Sequence, residues 1–196
     1  MWNFKTPGIP DEKFERTDNV PITKEEVRVI QISKARLCTG QIVYDIGCGS
    51  GSISIEAAIQ VENSGKVFAI DYDSNAIELT KKNITKFDLT NITTIFGNAK
   101  EKISDLPIAD AIFIGGTGGD TKYIIEKCQN KLNSGGRIVI GVILIETLFS
   151  VLQILEKLDF VDVDITQVTI SKSRKTSTGT MMLARNPVTI ISATKN

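Results

Sequence analysis

Residues Asp45–Ser54 read D-I-G-C-G-S-G-S-I-S, directly after the apolar Ile42-Val43-Tyr44 and directly before a pattern that reads as helix. A glycine-rich turn between a strand and a helix brings backbone close to a small ligand. The dinucleotide fingerprint needs glycine at the first, third and sixth places of its turn, and here Ser52 holds the sixth while Gly51 comes one residue early. The phosphate loop fails as well, because no Lys-Ser or Lys-Thr follows. What remains is D-x-G-x-G-x-G, with Asp45 two residues ahead of Gly47.

On both sides of this turn strands and helices alternate. Short apolar runs at Ile42–Ile46, Lys66–Asp71, Ile92–Phe96, Ala111–Ile114 and Arg137–Ile143 read as strands. Helical periodicity fills Ser52–Gln60, Ser74–Lys86, Thr121–Leu132 and Glu146–Leu158. Such alternation implies right-handed crossovers and a parallel sheet covered on both faces. The end breaks the rhythm. Val161–Ser171 and Thr180–Ala193 are two β-rich stretches joined by a polar linker ending in Gly179, which predicts an antiparallel hairpin on the sheet edge. The expected fold is α/β, a Rossmann-like sheet of five parallel strands plus a C-terminal antiparallel hairpin. Residues 1–22 hold three of the five prolines and read as an arm packed on a single domain spanning 23–196. Thr23, with Glu26 three residues on, reads as the capping box that opens the first helix.

Composition narrows the function. Lys+Arg and Asp+Glu balance at 23 each, which argues against a nucleic-acid partner. The chain has no histidine, so a histidine base, a Ser-His triad and a histidine-ligated metal are excluded. Its three cysteines lack C-x-x-C pairing, so no metal site or disulfide framework is expected. No apolar run reaches the length of a membrane span and the N-terminus lacks a signal-peptide pattern, so a cytoplasmic protein with no membrane partner is expected.

The acids identify the ligand. A carboxylate at Asp45 would repel a pyrophosphate but suits a sulfonium. Asp71 ends the next strand, where an acidic side chain grips a ribose diol. Gly97-Asn98-Ala99 ends the third strand, where Asn98 and Ala99 would meet an adenine edge, although many methyltransferases have Asp at the Asn98 place. Together with the turn Gly47, Cys48, Gly49, Ser50 and Gly51, these residues fit S-adenosyl-L-methionine, so the expected fold is that of the class I S-adenosylmethionine-dependent methyltransferases. Cys48 reads as small filler and Asp110 as a turn residue. After the fourth strand comes I-G-G-T-G-G-D, with no aromatic to stack a flipped base. Gly115, Gly116 and Thr117 thus read as an open floor for a bulky, rigid substrate.

At this point P-G-I-P-D-E-K-F (7–14), V-P-I-T-K-E-E-V-R (20–28), D-I-G-C-G-S-G, I-G-G-T-G-G, G-G-R-I-V-I and T-G-T-M-M-L-A-R-N-P-V (178–188) come together. Over nearly the whole chain the sequence resembles the cobalt-precorrin C15-methyltransferases (decarboxylating) of anaerobic cobalamin synthesis. The resemblance implies methylation of a corrinoid with loss of the ring-C acetate carboxylate, and a homotetramer to which the hairpin would contribute. It adds Thr23 to the cofactor contacts and supports Gly47–Gly51, Asp71 and Ala99, but carries over no catalytic acid or base. The substrate supplies its own electrons through its conjugated ring, so the absence of histidine is compatible. Lys172, Arg174 and Arg185 are candidates to meet its carboxylates, the first two being equally readable as a solvated hairpin tip. The remaining alternatives are a tRNA adenine methyltransferase and a catalytically silent cofactor-binding subunit.

Overall fold

The computed structural model describes residues 2–196. Its main sheet has seven strands: β1 (Ile42–Ile46), β2 (Lys66–Asp71), β3 (Ile92–Phe96), β4 (Ala109–Ile114), β5 (Leu132–Val142), β6 (Val161–Val168) and β9 (Val188–Thr194). Their order is β3-β2-β1-β4-β5-β9-β6. The first five run parallel, while β9 lies antiparallel to both β5 and β6. Alternation along the strands divides the core in two. Tyr44, Ile46, Ile70, Ile112, Ile114, Ile138 and Ile140 pack with α4 (Ala99–Lys102), α5 (Thr121–Lys131) and α6 (Ile145–Lys157). Val43, Val67, Ala111, Phe113, Val139 and Ile190 face the other way, toward α1 (Glu25–Ala35) and α2 (Ser52–Val61). Helix α3 (Ser74–Lys86) adds Ala76 and Leu79 against Val20 of the N-terminal segment. No helix among the described residues is long and apolar enough to cross a membrane. The strand order turns back between β1 and β4, so the loops leaving those two strands open a crevice at the carboxyl end of the sheet.

The C-terminal hairpin is present but divided. The second stretch, expected as one strand over Thr180–Ala193, is interrupted at Arg185-Asn186-Pro187. Beyond Pro187, Ile190, Ile191 and Ala193 are buried and draw β9 into the sheet, pairing Ile191 with Ile140 on one side and Ile165 on the other. Ahead of it, β7 (Ser171–Lys175) and β8 (Thr180–Ala184) form a separate ribbon that pairs Lys172 with Leu183 and Arg174 with Met181. Proline cannot donate to a ladder, and the mostly polar β7 offers little for the sheet to bury.

The capping box expected at Thr23 does not form. Helix α1 begins at Glu25 with Lys24 in the cap position and no side-chain cap bond from it. Asp11 supplies the cap from the arm instead, its Oδ1 accepting the Glu25 N–H at 3.0 Å. Glu26 turns away to pair with Lys172. The reason lies beneath the helix, where the fully buried Arg28 holds the arm down. Its guanidinium donates to Glu56 Oε1 at 2.7 Å, to Asp11 Oδ1 at 3.3 Å, and to the carbonyls of Thr23 and Ile9. The two Glu56 oxygens also accept the N–H groups of Gly8 and Ile9, each at 3.0 Å.

Removing one member of a buried ionic network leaves the others uncompensated. Arg28→Ala is therefore expected to lower unfolding stability by about 3–5 kcal/mol in urea titrations, with cleavage of residues 8–23 accelerated under limited proteolysis. A change below about 1 kcal/mol, of the size expected for an exposed pair, would overturn this.

Candidate active site

The turn after β1 is shaped by three close approaches. The N–H groups of Gly47 and Cys48 both donate to the Ile70 carbonyl, at 2.9 and 3.1 Å, which ties the turn to β2. Gly47 has φ 72°, and a Cβ there would lie 2.8 Å from the Gly116 nitrogen in the loop after β4. Gly49 has φ 54°, and its Cβ would lie 2.8 Å from the Pro21 carbonyl oxygen of the arm. Only glycine combines that backbone with that proximity. Gly51, left-handed at φ 76°, is the cap residue of α2. Asp71 braces the turn from β2, its Oδ2 accepting the Gly49 N–H at 2.9 Å and its Oδ1 the Asp73 N–H at 3.0 Å.

Two cavities meet over this turn. The smaller, about 300 Å³, is walled by Asp71, Tyr72, Gly97, Asn98 and Ala99. The larger, about 850 Å³, lies between Pro21–Lys24, the loop Gly115–Asp120, and the segment from Gly141 into the start of α6. They share Gly47, Gly116, Thr117, Gly118 and Asp120 as common wall. A Cβ on Gly116 would meet no protein atom within 4 Å, so any side chain there would enter that shared space. Asn98 caps α4, its Oδ1 accepting the Lys100 N–H at 3.0 Å.

The fold thus brings Gly47, Asp71, Asn98 and Ala99 to the smaller cavity, and Thr23, Gly47, Cys48, Gly49, Gly115, Gly116 and Thr117 to the larger. Cys48 is buried, and burial together with the nearby Asp45 pushes its thiol pKa far upward, so it packs rather than reacts. Ser50 and Gly51 line neither cavity: the Ser50 N–H donates to Pro21 O at 3.3 Å, and its carbonyl accepts from Asn83 at 2.9 Å. Asp110 accepts from the Ile42 N–H at 2.8 Å and from Asn133 at 2.7 Å, within the scaffold. Lys172, Arg174 and Arg185 also line neither cavity. Lys172 pairs with Glu25 at 3.2 Å and with Glu26, and Arg185 lies 3.9 Å from Asp11 and 3.8 Å from Glu26. Tyr72, Gln31, Lys122 and Glu146 line the cavities without having been singled out in the sequence. Tyr72 alone had a local signal, since it follows the strand-ending Asp71.

The β3-β2-β1-β4-β5 order, the glycine turn after β1 and the acid closing β2 define the chain as a class I methyltransferase in fold. The model of the precorrin methyltransferase domain family matches residues 12–195, and the chain belongs to that family. It is 48% identical over 196 residues to a probable cobalt-precorrin-6B C(15)-methyltransferase (decarboxylating) of Saccharolobus solfataricus, covering 99% of this chain and 98% of the relative. Among solved structures it is similar to a precorrin-8w decarboxylase of Methanobacterium thermoautotrophicum, with TM-score 0.89, 36% identity, and coverage of 94% and 98% of the two chains. A precorrin-6Y C5,15-methyltransferase of Geobacter metallireducens is similar to the same degree, with TM-score 0.89, 34% identity and coverage of 97% and 98%.

Asp45 sits beneath the turn and on the wall of neither cavity. Its Oδ2 accepts the Ser54 hydroxyl at 2.5 Å. Burial pushes its pKa up to about 6; the hydrogen bonds from Ser54 pull the other way and the Asp71 charge adds to the rise. A carboxyl whose pKa rises on folding binds its proton more tightly in the folded state, so its contribution to stability falls as pH climbs from 3.8 toward 6. Asp45→Asn cannot titrate. The stability of this variant minus that of wild type is expected to increase by on the order of 3 kcal/mol between about pH 4 and pH 6.5, then level off. A difference constant across that range in urea unfolding would overturn the buried-acid assignment.

Proposed function

We propose that the protein methylates C15 of a cobalt-precorrin from S-adenosyl-L-methionine and removes the carboxyl group of the C12 acetate as carbon dioxide. The observation that supports this most directly is the pair of cavities sharing one glycine wall: a nucleoside-sized pocket opens beside a larger one at Gly47 and Gly116. Bound S-adenosylmethionine would supply an electrophilic methyl on a sulfonium. Asp71 holds the ribose hydroxyls with the acceptor capacity its two backbone bonds leave free. Tyr72, Asn98 and Ala99 flank the adenine, while Gly47–Gly49 and Thr23 hold the amino-acid end. Asp45 acts from below, holding the turn through Ser54 rather than touching the cofactor.

The larger cavity takes the corrinoid. The chain's own work there is to hold a flat ring against the glycine floor and keep water from it. Lys24 and Lys122 on its wall, and Arg174 on the ribbon, are the cations we assign to the ring carboxylates. Lys172 and Arg185 would join them by exchanging the acids that hold them now. Met181, Met182 and Leu183 leave an exposed apolar row on the ribbon, which fits assembly into a cytoplasmic homotetramer through it; a single-chain mass by light scattering would overturn that assembly.

The decisive experiment incubates the protein with cobalt-precorrin-6B and S-adenosylmethionine and weighs the product. Loss of carbon dioxide with gain of one methyl is expected; no change in mass would overturn the function. In parallel, Asp71→Asn is expected to weaken S-adenosylmethionine binding at least about tenfold by calorimetry, the size of a lost charge-assisted hydrogen bond. An unchanged Kd would overturn the ribose assignment.

A further inference from the structure

A reaction that methylates a ring carbon and strips a carboxylate from a neighbouring acetate must also move a proton. Loss of carbon dioxide breaks the bond between the acetate methylene and its carboxylate carbon and leaves that electron pair in the conjugated ring. The pair forms the bond from the ring carbon to the incoming methyl, and the sulfonium leaves as a neutral thioether. The former methylene is now an exocyclic alkene carbon. It becomes a methyl group only by gaining a proton, while the ring gives one up, so the step is balanced without any further reactant.

Few groups on the larger cavity's wall are free to do this. Among its titratable side chains, Lys24 lies 3.7 Å from Asp11, and Asp120 is paired with Lys100 at 2.5 Å. Tyr123 lies under two cations, Lys100 at 5.6 Å and Lys127 at 5.3 Å from its ring centre. Lys122 donates to Gln153 at 3.4 Å, and burial pushes the Cys48 thiol far up. Glu146 is the exception. It lines the cavity from the first turn of α6 and makes no ion pair or side-chain hydrogen bond among the described residues. Its neighbours on the wall, Ile143 and Leu144, are exposed apolar side chains suited to the face of a conjugated ring. As an exposed first-turn acid Glu146 is favoured by the dipole of α6 whatever its role. What distinguishes it on this wall is a carboxylate without a partner among the described residues, free to exchange a proton with a bound ring.

On the function proposed above, we propose that Glu146 is the general base and acid of this site, taking the proton the ring releases and delivering it to the exocyclic carbon. The probe is the full chain with cobalt-precorrin-6B and S-adenosylmethionine, comparing wild type with Glu146→Gln, which keeps the shape of the side chain and removes its basicity. The expected result is a kcat lower by ~100-fold, with KM and the S-adenosylmethionine Kd within about threefold of wild type. The variant should also accumulate a species with the product's mass but the absorption spectrum of an exocyclic-methylene isomer. Wild-type kcat and spectrum in E146Q would overturn the assignment, as would a loss confined to KM. Absence of turnover in wild type as well would overturn the proposed function, and this inference with it.

Discussion

Everything in this site depends on two backbone loops passing within van der Waals contact. The turn after β1 and the loop after β4 meet at Gly47 and Gly116, too close for any Cβ at Gly47. Because β1 and β4 are neighbouring parallel strands at the point where the sheet order reverses, their loops leave side by side and would otherwise diverge. Holding them together makes one thin wall with a cavity on each face.

The rest of the molecule braces that wall from outside. Asp71 grips the turn from β2, Thr80 Oγ1 donates to the Gly49 carbonyl at 2.9 Å from α3, and Pro21 crosses it from the arm. The arm is short of secondary structure of its own, so its position is set by charge: Arg28 and Glu56, both buried, satisfy its carbonyls and N–H groups far from water. Asp11 links this network to the start of α1, and Glu26 links α1 to the ribbon through Lys172. One chain of polar contacts therefore runs from the arm through α1 to the outermost part of the fold.

The regular elements were legible because each carries its own period. The bounds of β1, β2, α3 and β3 agree with the sequence, and those of the other parallel strands and their helices differ by a few residues. The short α4 was not foreseen, four residues being too few for a periodic signal. Thr23 and Glu26 look like a cap in isolation, but the helix starts one residue later, and Asp11, fourteen residues before Glu25, takes the Glu25 N–H; no local pattern encodes that competition. The split of the last β-rich stretch was signalled by Pro187. The insertion of β9 between β5 and β6 was not, since it turns on which half of the stretch finds a buried face.

By itself the sequence determined the class of fold, the glycine turn and the two acids on successive strand ends. These follow from local rules: strand and helix periods, the need for glycine at positive φ, and the fixed direction of parallel crossovers. Only the tertiary structure decided what each acid faces. Asp45 and Asp71 both lie near the carboxyl ends of adjacent strands, but Asp45 pairs with Ala69, two positions short of Asp71; one ends beneath the turn against Ser54 while the other opens on a cavity. It also decided that Glu146, an ordinary first-turn glutamate in the sequence, stands unpaired on the wall of the larger cavity. Distance along the chain carries no record of such placements, because side chains scores of residues apart meet only after the sheet has assembled in its order.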